Sequence, residues 1–143
     1  MSSGMLDAAK NNTSDFDFIE QYAVIDAENI PFDSDSFDIV IANYMLYHVP
    51  NIDKALSEIS RVLKSNGFFF AATYGEDNLK EVDDIFINFD SRLDSVTNNL
   101  CKAFGLENGH DYLNKHFGSV ELKRYENCLH ITELKPLTEY FLS

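Results

Sequence analysis

"FDIVIANYMLYHVPNIDKALSEISRVLKSNGFFFAAT", Phe37 to Thr73, is the stretch from which the fold is read. Ile39, Val40, Ile41 and Ala42 form an uninterrupted apolar run, the pattern of a strand covered on both faces. Asp53 is placed to cap a helix running to about Lys64, with Ala55, Leu56, Ile59, Val62 and Leu63 at helical spacing. Lys64 to Gly67, "KSNG", reads as a stop, and Phe68 to Thr73 as the next strand. Strand, helix and strand joined this closely make a βαβ crossover, so the two strands are expected to be parallel neighbours. Directly after the first strand come Asn43, Tyr44, Met45, Tyr47 and His48, a polar and aromatic cluster where a plain loop would serve. The carboxyl ends of strands in an open parallel sheet are where ligands bind, so this corner is the first candidate site.

Working outward, Gly4 to Asn12 reads as the end of a helix, with Met5, Ala8 and Ala9 on one side. Tyr22 to Ile25 is a short β-prone run, and "DAENIPFDSDS" after it is a turn-rich loop. Beyond Thr73 the pattern loosens. Asn78 to Phe89, Ser95 to Phe104 and Gly109 to Phe117 look helical, and Ser119 to Tyr125 reads as a late strand with Leu129 to Ile131 beside it. A last helix is expected to start at Pro136.

The chain has 143 residues, enough for one domain with a real core. An apolar share of 45% and a charged share of 24% are those of a soluble globular protein. A formal net charge of -13 argues against a nucleic-acid-binding surface, because phosphate backbones reward Lys and Arg. Cys101 and Cys128 make neither a disulfide framework nor a metal-ligand set, and no CxxC or HExxH occurs. No metal site is expected. No apolar run approaches the ~20 residues of a membrane span. With no signal-peptide pattern, a cytoplasmic location is the default expectation.

Two segments then stand out together: Asp26-Ala27-Glu28-Asn29-Ile30-Pro31-Phe32 and Asn43 to His48. With "SFDIVIANYMLYHV" and "ALSEISRVLKSNGFFFAAT" at their spacing, the chain resembles the class I S-adenosylmethionine-dependent methyltransferases, closely from Gly4 to about Thr73 and loosely beyond. The resemblance implies an α/β fold with a partial Rossmann-like sheet and flanking helices. One partial domain would span 1–143, with a core part over 1–75 and substrate-side helices and a late strand over 76–143. It implies S-adenosylmethionine as cofactor and a methyl acceptor that is a small molecule. By the same resemblance Asp26 accepts a hydrogen bond from the adenine amino group, and the backbone N–H of Ala27 meets a ring nitrogen. The bland alternative is that Asp26 merely begins a turn. Asn43 and Tyr44 match residues whose backbone lies against the methionine half of the cofactor. Met5 matches an apolar neighbour of the adenosine, unless it is ordinary helix packing. His48 is a candidate general base and substrate contact, or a residue that only orients its loop. Tyr47, like Tyr44, either walls the substrate pocket or is a core aromatic with a satisfied hydroxyl.

The chain also departs from that family. Its six glycines include no G-x-G pair, so the glycine-rich cofactor loop has no counterpart. The acid that holds the ribose hydroxyls would fall just before Met1. The expectation is therefore a fragment lacking the first two strands and the last, inactive and a weak cofactor binder on its own. The absent first strand would lie beside Ile39 to Ala42, leaving that edge open. Either Tyr22 to Ile25 closes onto it, or the fragment associates with itself through the exposed sheet edge. Two further readings compete: another doubly wound nucleotide-binding enzyme such as a nicotinamide dehydrogenase, and a non-catalytic partner or scaffold domain that lacks the cofactor loop.

Overall fold

The computed structural model describes residues 3–89, 96–128 and 130–142. The elements described are α1 (Ser3–Asn12), β1 (Phe37–Asn43), a 3-10 turn (Leu46–His48), α2 (Ile52–Val62), β2 (Leu63–Ala72), α3 (Lys80–Phe89), α4 (Val96–Ala103), α5 (Gly109–Asn114) and α6 (Leu134–Leu142). This is a mixed α/β fold. β1 and β2 form a parallel pair joined through α2, as the crossover pattern requires. Ile39 faces Phe68 across the ladder, Ile41 faces Phe70, and Asn43 faces Ala72.

α2 forms because its apolar side chains recur on one face: Ile52, Ala55, Leu56, Ile59 and Val62 are all buried. Its N-cap is Asn51, whose side chain accepts the Lys54 N–H at 3.0 Å, so the cap expected at Asp53 belongs two residues earlier. Nor does the helix stop at "KSNG". It ends at Val62 and passes straight into β2, and "KSNG" becomes an excursion inside that strand. The ladder jumps there, from Phe37 opposite Leu63 to Ile39 opposite Phe68. Gly67 allows this close passage, because a Cβ there would stand 2.8 Å from Leu63 and 2.9 Å from the Asp38 carbonyl.

The core is assembled on one side of the sheet. Ala42, Leu46, Ile52, Leu56, Ile59 and Phe104 form its buried cluster. Val40, Phe69, Tyr112, Leu113 and Phe117 pack around it, so the later helices complete the core begun by the βαβ unit.

Several expectations need correcting. Tyr22 to Ile25 is not a strand and does not close onto β1; the Tyr22 phenol is instead held by the Thr13 hydroxyl just past the end of α1. Ser119 to Tyr125 is irregular backbone, as are His130 and Ile131, while Leu129 lies outside the described residues. The alternation there is imperfect, and among the described residues no neighbouring strand offers it a ladder. The helix expected from Ser95 is described from Val96, Ser95 itself lying outside the described residues. The last helix starts at Leu134, which puts Pro136 inside its first turn, where its missing N–H costs nothing. Finally, β1 is not covered on both faces: Ile39 and Ile41 are exposed.

Candidate functional site

The loop after Ile25 lies along α2, and hydrogen bonds to the helix fix its direction. Glu28 Oε1 accepts the Asn51 N–H at 3.0 Å, at the start of the helix. Glu58 Oε2 accepts the Ile30 N–H at 2.9 Å, one residue past the middle. Arg61 then donates to the Phe32 carbonyl at 2.7 Å and to the Ile30 carbonyl at 2.9 Å. Asp35 N–H reaches the Arg61 carbonyl at 3.0 Å, and Ser36 N–H the Val62 carbonyl at 2.8 Å. Loop and helix therefore run in the same direction. The Asp26 end of the loop sits at the amino end of α2, which is also where the chain arrives from the carboxyl end of β1.

Besides Glu28, two charged side chains hold this arrangement. Arg61 is paired with Glu58 through Nε to Oε1 and Nη2 to Oε2, both at 2.8 Å. The Arg61 hydrogen bonds, joined by the Ile30 N–H, hold the Glu58 carboxyl down at about 2. The carboxylate and guanidinium are thus both charged across the physiological range, and each also serves a backbone group of the loop.

At the turn itself, Asp26 Oδ1 accepts the Glu28 N–H at 2.9 Å, and Asn29 N–H reaches the Asp26 carbonyl at 3.1 Å. The side chain is exposed and shapes an Asx turn. Ala27 is half-buried beside it.

The aromatic corner is built at the ends of both strands. Asn43 closes the ladder opposite Ala72. Tyr44 N–H continues it to the Ala72 carbonyl at 3.0 Å, and Tyr44 adopts φ 50°, a left-handed conformation uncommon for a side chain of its size. Its ring lies against Tyr74, with centroids 4.7 Å apart, and Tyr47 meets the same Tyr74 ring at 5.8 Å. The His48 ring stands edge-on to Tyr47 at 4.5 Å and is exposed. Burial, then the Tyr74 phenol, push the Tyr47 hydroxyl up to about 12. Tyr47 is a neutral donor at physiological pH and cannot act as a base there. Just past β2 the chain is fastened to the connection between α4 and α5: Thr73 Oγ1 donates to the Phe104 carbonyl at 2.6 Å, and Leu106 N–H reaches the Tyr74 carbonyl at 3.0 Å.

The sequence-predicted residues thus divide. Asp26 and Ala27 come to the same end of α2 as Asn43, Tyr44, Tyr47 and His48. Met5 stands on the surface of α1, an element outside this lacing. Glu28, Glu58, Arg61 and Tyr74 were not singled out as site residues. The Glu58–Arg61 pair had a legible signal, opposite charges three apart on the polar side of a helix. An open hollow of about 580 Å³ lined by Asp35, Asp38, Lys64, Ser65 and Asn66 lies at the other, amino ends of the strands. There Lys64 Nζ already neutralises Asp38 at 2.8 Å, so the hollow adds nothing to the corner.

Comparison with known proteins bears directly on this corner. The family model described as a methyltransferase domain matches residues 1–71. Over this segment the chain is similar to the methyltransferase-domain family. The match takes in the Asp26 turn, the aromatic corner, α2 and nearly all of β2. The chain is 38% identical over 66 residues to the ubiquinone/menaquinone biosynthesis C-methyltransferase UbiE of Brucella canis, covering 46% of this chain and 24% of that protein. It is 45% identical over 53 residues to the mitochondrial 2-methoxy-6-polyprenyl-1,4-benzoquinol methylase of Mus musculus, covering 37% of this chain and 16% of that one. The chain spans about a quarter or less of the length of these relatives. Among solved structures, the complex between the Haloferax volcanii Trm112 methyltransferase activator and the protein named there as a methyltransferase matches with a TM-score of 0.50 and 31% identity. That match covers 63% of this chain and 38% of the other. Among the described residues, no helix is long and apolar enough to cross a membrane.

Proposed function

We propose that this methyltransferase segment is part of an S-adenosylmethionine-dependent enzyme whose complete form methylates a small-molecule acceptor, and that the chain alone is inactive and binds the cofactor weakly. The observation that carries the reading is the parallel lacing of the loop to α2. It brings the Asp26–Ala27 turn to the same end of the helix as the Asn43–His48 corner.

The residues present fit the cofactor's adenosine. Asp26 uses Oδ1 on its own turn, and its exposed carboxylate retains a second oxygen that can accept from an exocyclic amine. Ala27 offers the next backbone N–H. Asn43 and Tyr44 would lay backbone against the methionine portion, with Met5 as an apolar neighbour of the adenosine. S-adenosylmethionine, when bound, supplies a methyl group already activated by its sulfonium, so the chain's own work is binding and alignment. Tyr47 and His48 stand where an acceptor would approach. His48 is exposed and is the candidate base for the acceptor's proton, whereas Tyr47, with its hydroxyl pushed up to about 12, stays a neutral phenol. The relatives' names make a quinone-type aromatic the first acceptor to try.

Saturation-transfer NMR with S-adenosylmethionine tests this on the chain itself. Saturation should reach the adenine protons and fall several-fold in Asp26→Ala. Equal transfer to the variant, or none to the native chain, would refute the assignment.

A further inference from the structure

The two-stranded sheet has one covered face and one bare face. Val40, Ala42 and Phe69 point into the core, and Phe69 stacks on Phe117 with centroids 5.2 Å apart. Side chains alternate along a strand, so Ile39, Ile41, Phe68 and Phe70 point the other way. They are 54%, 61%, 64% and 53% exposed. The ladder sets Ile39 beside Phe68 and Ile41 beside Phe70, and the two phenyl rings stack at 6.3 Å. The four make one contiguous square. Single exposed apolar side chains are ordinary; a continuous patch on a chain of net charge -13 calls for an occupant.

We propose that the occupant is a second copy of the chain, which packs its own Ile39–Ile41–Phe68–Phe70 square face to face on this one in a two-fold dimer. Area permits it. The exposed parts of these side chains come to roughly 500 Å² per copy, so about 1,000 Å² in all, the lower bound for a specific interface. Symmetry also permits it, because a two-fold contact needs a self-complementary patch. A two-fold axis running along the strands lays the isoleucine row of each copy over the phenylalanine row of the other, small side chains against large. The result is two sheets about 10 Å apart. Pairing β1 edge to edge would satisfy backbone groups but leave all four side chains in water, which is why the face is assigned and not the edge. Charge sets the condition. Each copy carries -13, so repulsion opposes association and salt relieves it.

Sedimentation velocity on the full chain, over a concentration series at low and high sodium chloride, tests the proposal. A monomer–dimer equilibrium is expected, with dimer affinity rising about tenfold between the two salts, the opposite of an interface held by ion pairs. Ile41→Lys and Phe70→Lys each change an exposed residue and should fold, as far-UV circular dichroism will show, yet remain monomeric at both salts. Ser57→Lys, on the exposed side of α2, should dimerise as the native chain does. A native chain monomeric at the highest concentration and salt overturns the proposal. So does a dimer that survives both lysine substitutions together, one abolished equally by Ser57→Lys, or assembly into ladders beyond the dimer. A chain that stays monomeric yet takes up an added apolar polypeptide on the square would give the face to another partner, and likewise overturns it.

Discussion

Asn51 and Asp53 stand two residues apart at the start of α2, and only one of them caps it. The Asn51 amide oxygen meets the Lys54 N–H, whereas Asp53 lies within the first turn and turns outward to Lys115 and His116, each at 3.3 Å. Asn51→Ala should therefore cost about 1 kcal/mol in urea unfolding, and Asp53→Ala distinctly less. An equal or larger loss at Asp53 would return the cap to it. Glu58 gives a pH signature. Its carboxyl is held below its ordinary value of 4.5, at about 2, so the folded state favours the charged form. The stability it contributes is complete above 4.5 and is lost as pH falls through about 2. Thermal melts of the native chain and Glu58→Gln should differ most near neutrality and converge in strong acid. A gap that widens on acidification would contradict this account.

At the scale of elements, the loop of residues 26–32 owes its course to a helix and not to its own sequence. Arg61 and Glu58 reach three of its backbone groups, so Arg61→Met should speed amide exchange at Ile30 more than elsewhere in the chain. Uniform acceleration would mean that the residue serves general stability instead. This lacing explains what was legible and what was not. The βαβ unit could be read because its apolar periodicity is local: Ile39 to Ala42, then Ala55, Leu56, Ile59 and Val62, then Phe68 onward. The strand at Tyr22 to Ile25 could not be, because β propensity becomes a strand only where a neighbour offers a ladder, and there Tyr22 is tied to Thr13 instead. The cap failed for a related reason. Asp and Asn compete for the same role, and the choice depends on where the chain leaves the 3-10 turn. Of the site, the Asp26 turn and the Tyr44 corner were visible as motifs. Tyr74 was not, since it meets Tyr44 and Tyr47 only once β2 lies beside β1.

The whole molecule is held by an uneven distribution of burial, and two phenylalanines measure it. Phe104 is 1% exposed, joins the cluster of Leu46, Leu56 and Ile59, and carries the carbonyl that Thr73 grips. Phe68 is 64% exposed on the bare face of the sheet. Phe104→Ala removes a ring from a packed site and should cost about 3–5 kcal/mol, whereas Phe68→Ala, in dilute low-salt solution, should stay within about 0.5 kcal/mol. Urea titrations followed by circular dichroism read both. The same unevenness orders local opening. α2 and the inward side of β2 carry the buried contacts, while residues 119–128 are nearly all exposed and belong to no helix or strand. Opening free energy scales with the contacts broken, so amides of 119–128 should exchange first and those of Leu56 to Val62 last. If 119–128 proved as protected as α2, the core would have to extend over that segment, and the division between a packed βαβ unit and a loose outer chain would be wrong.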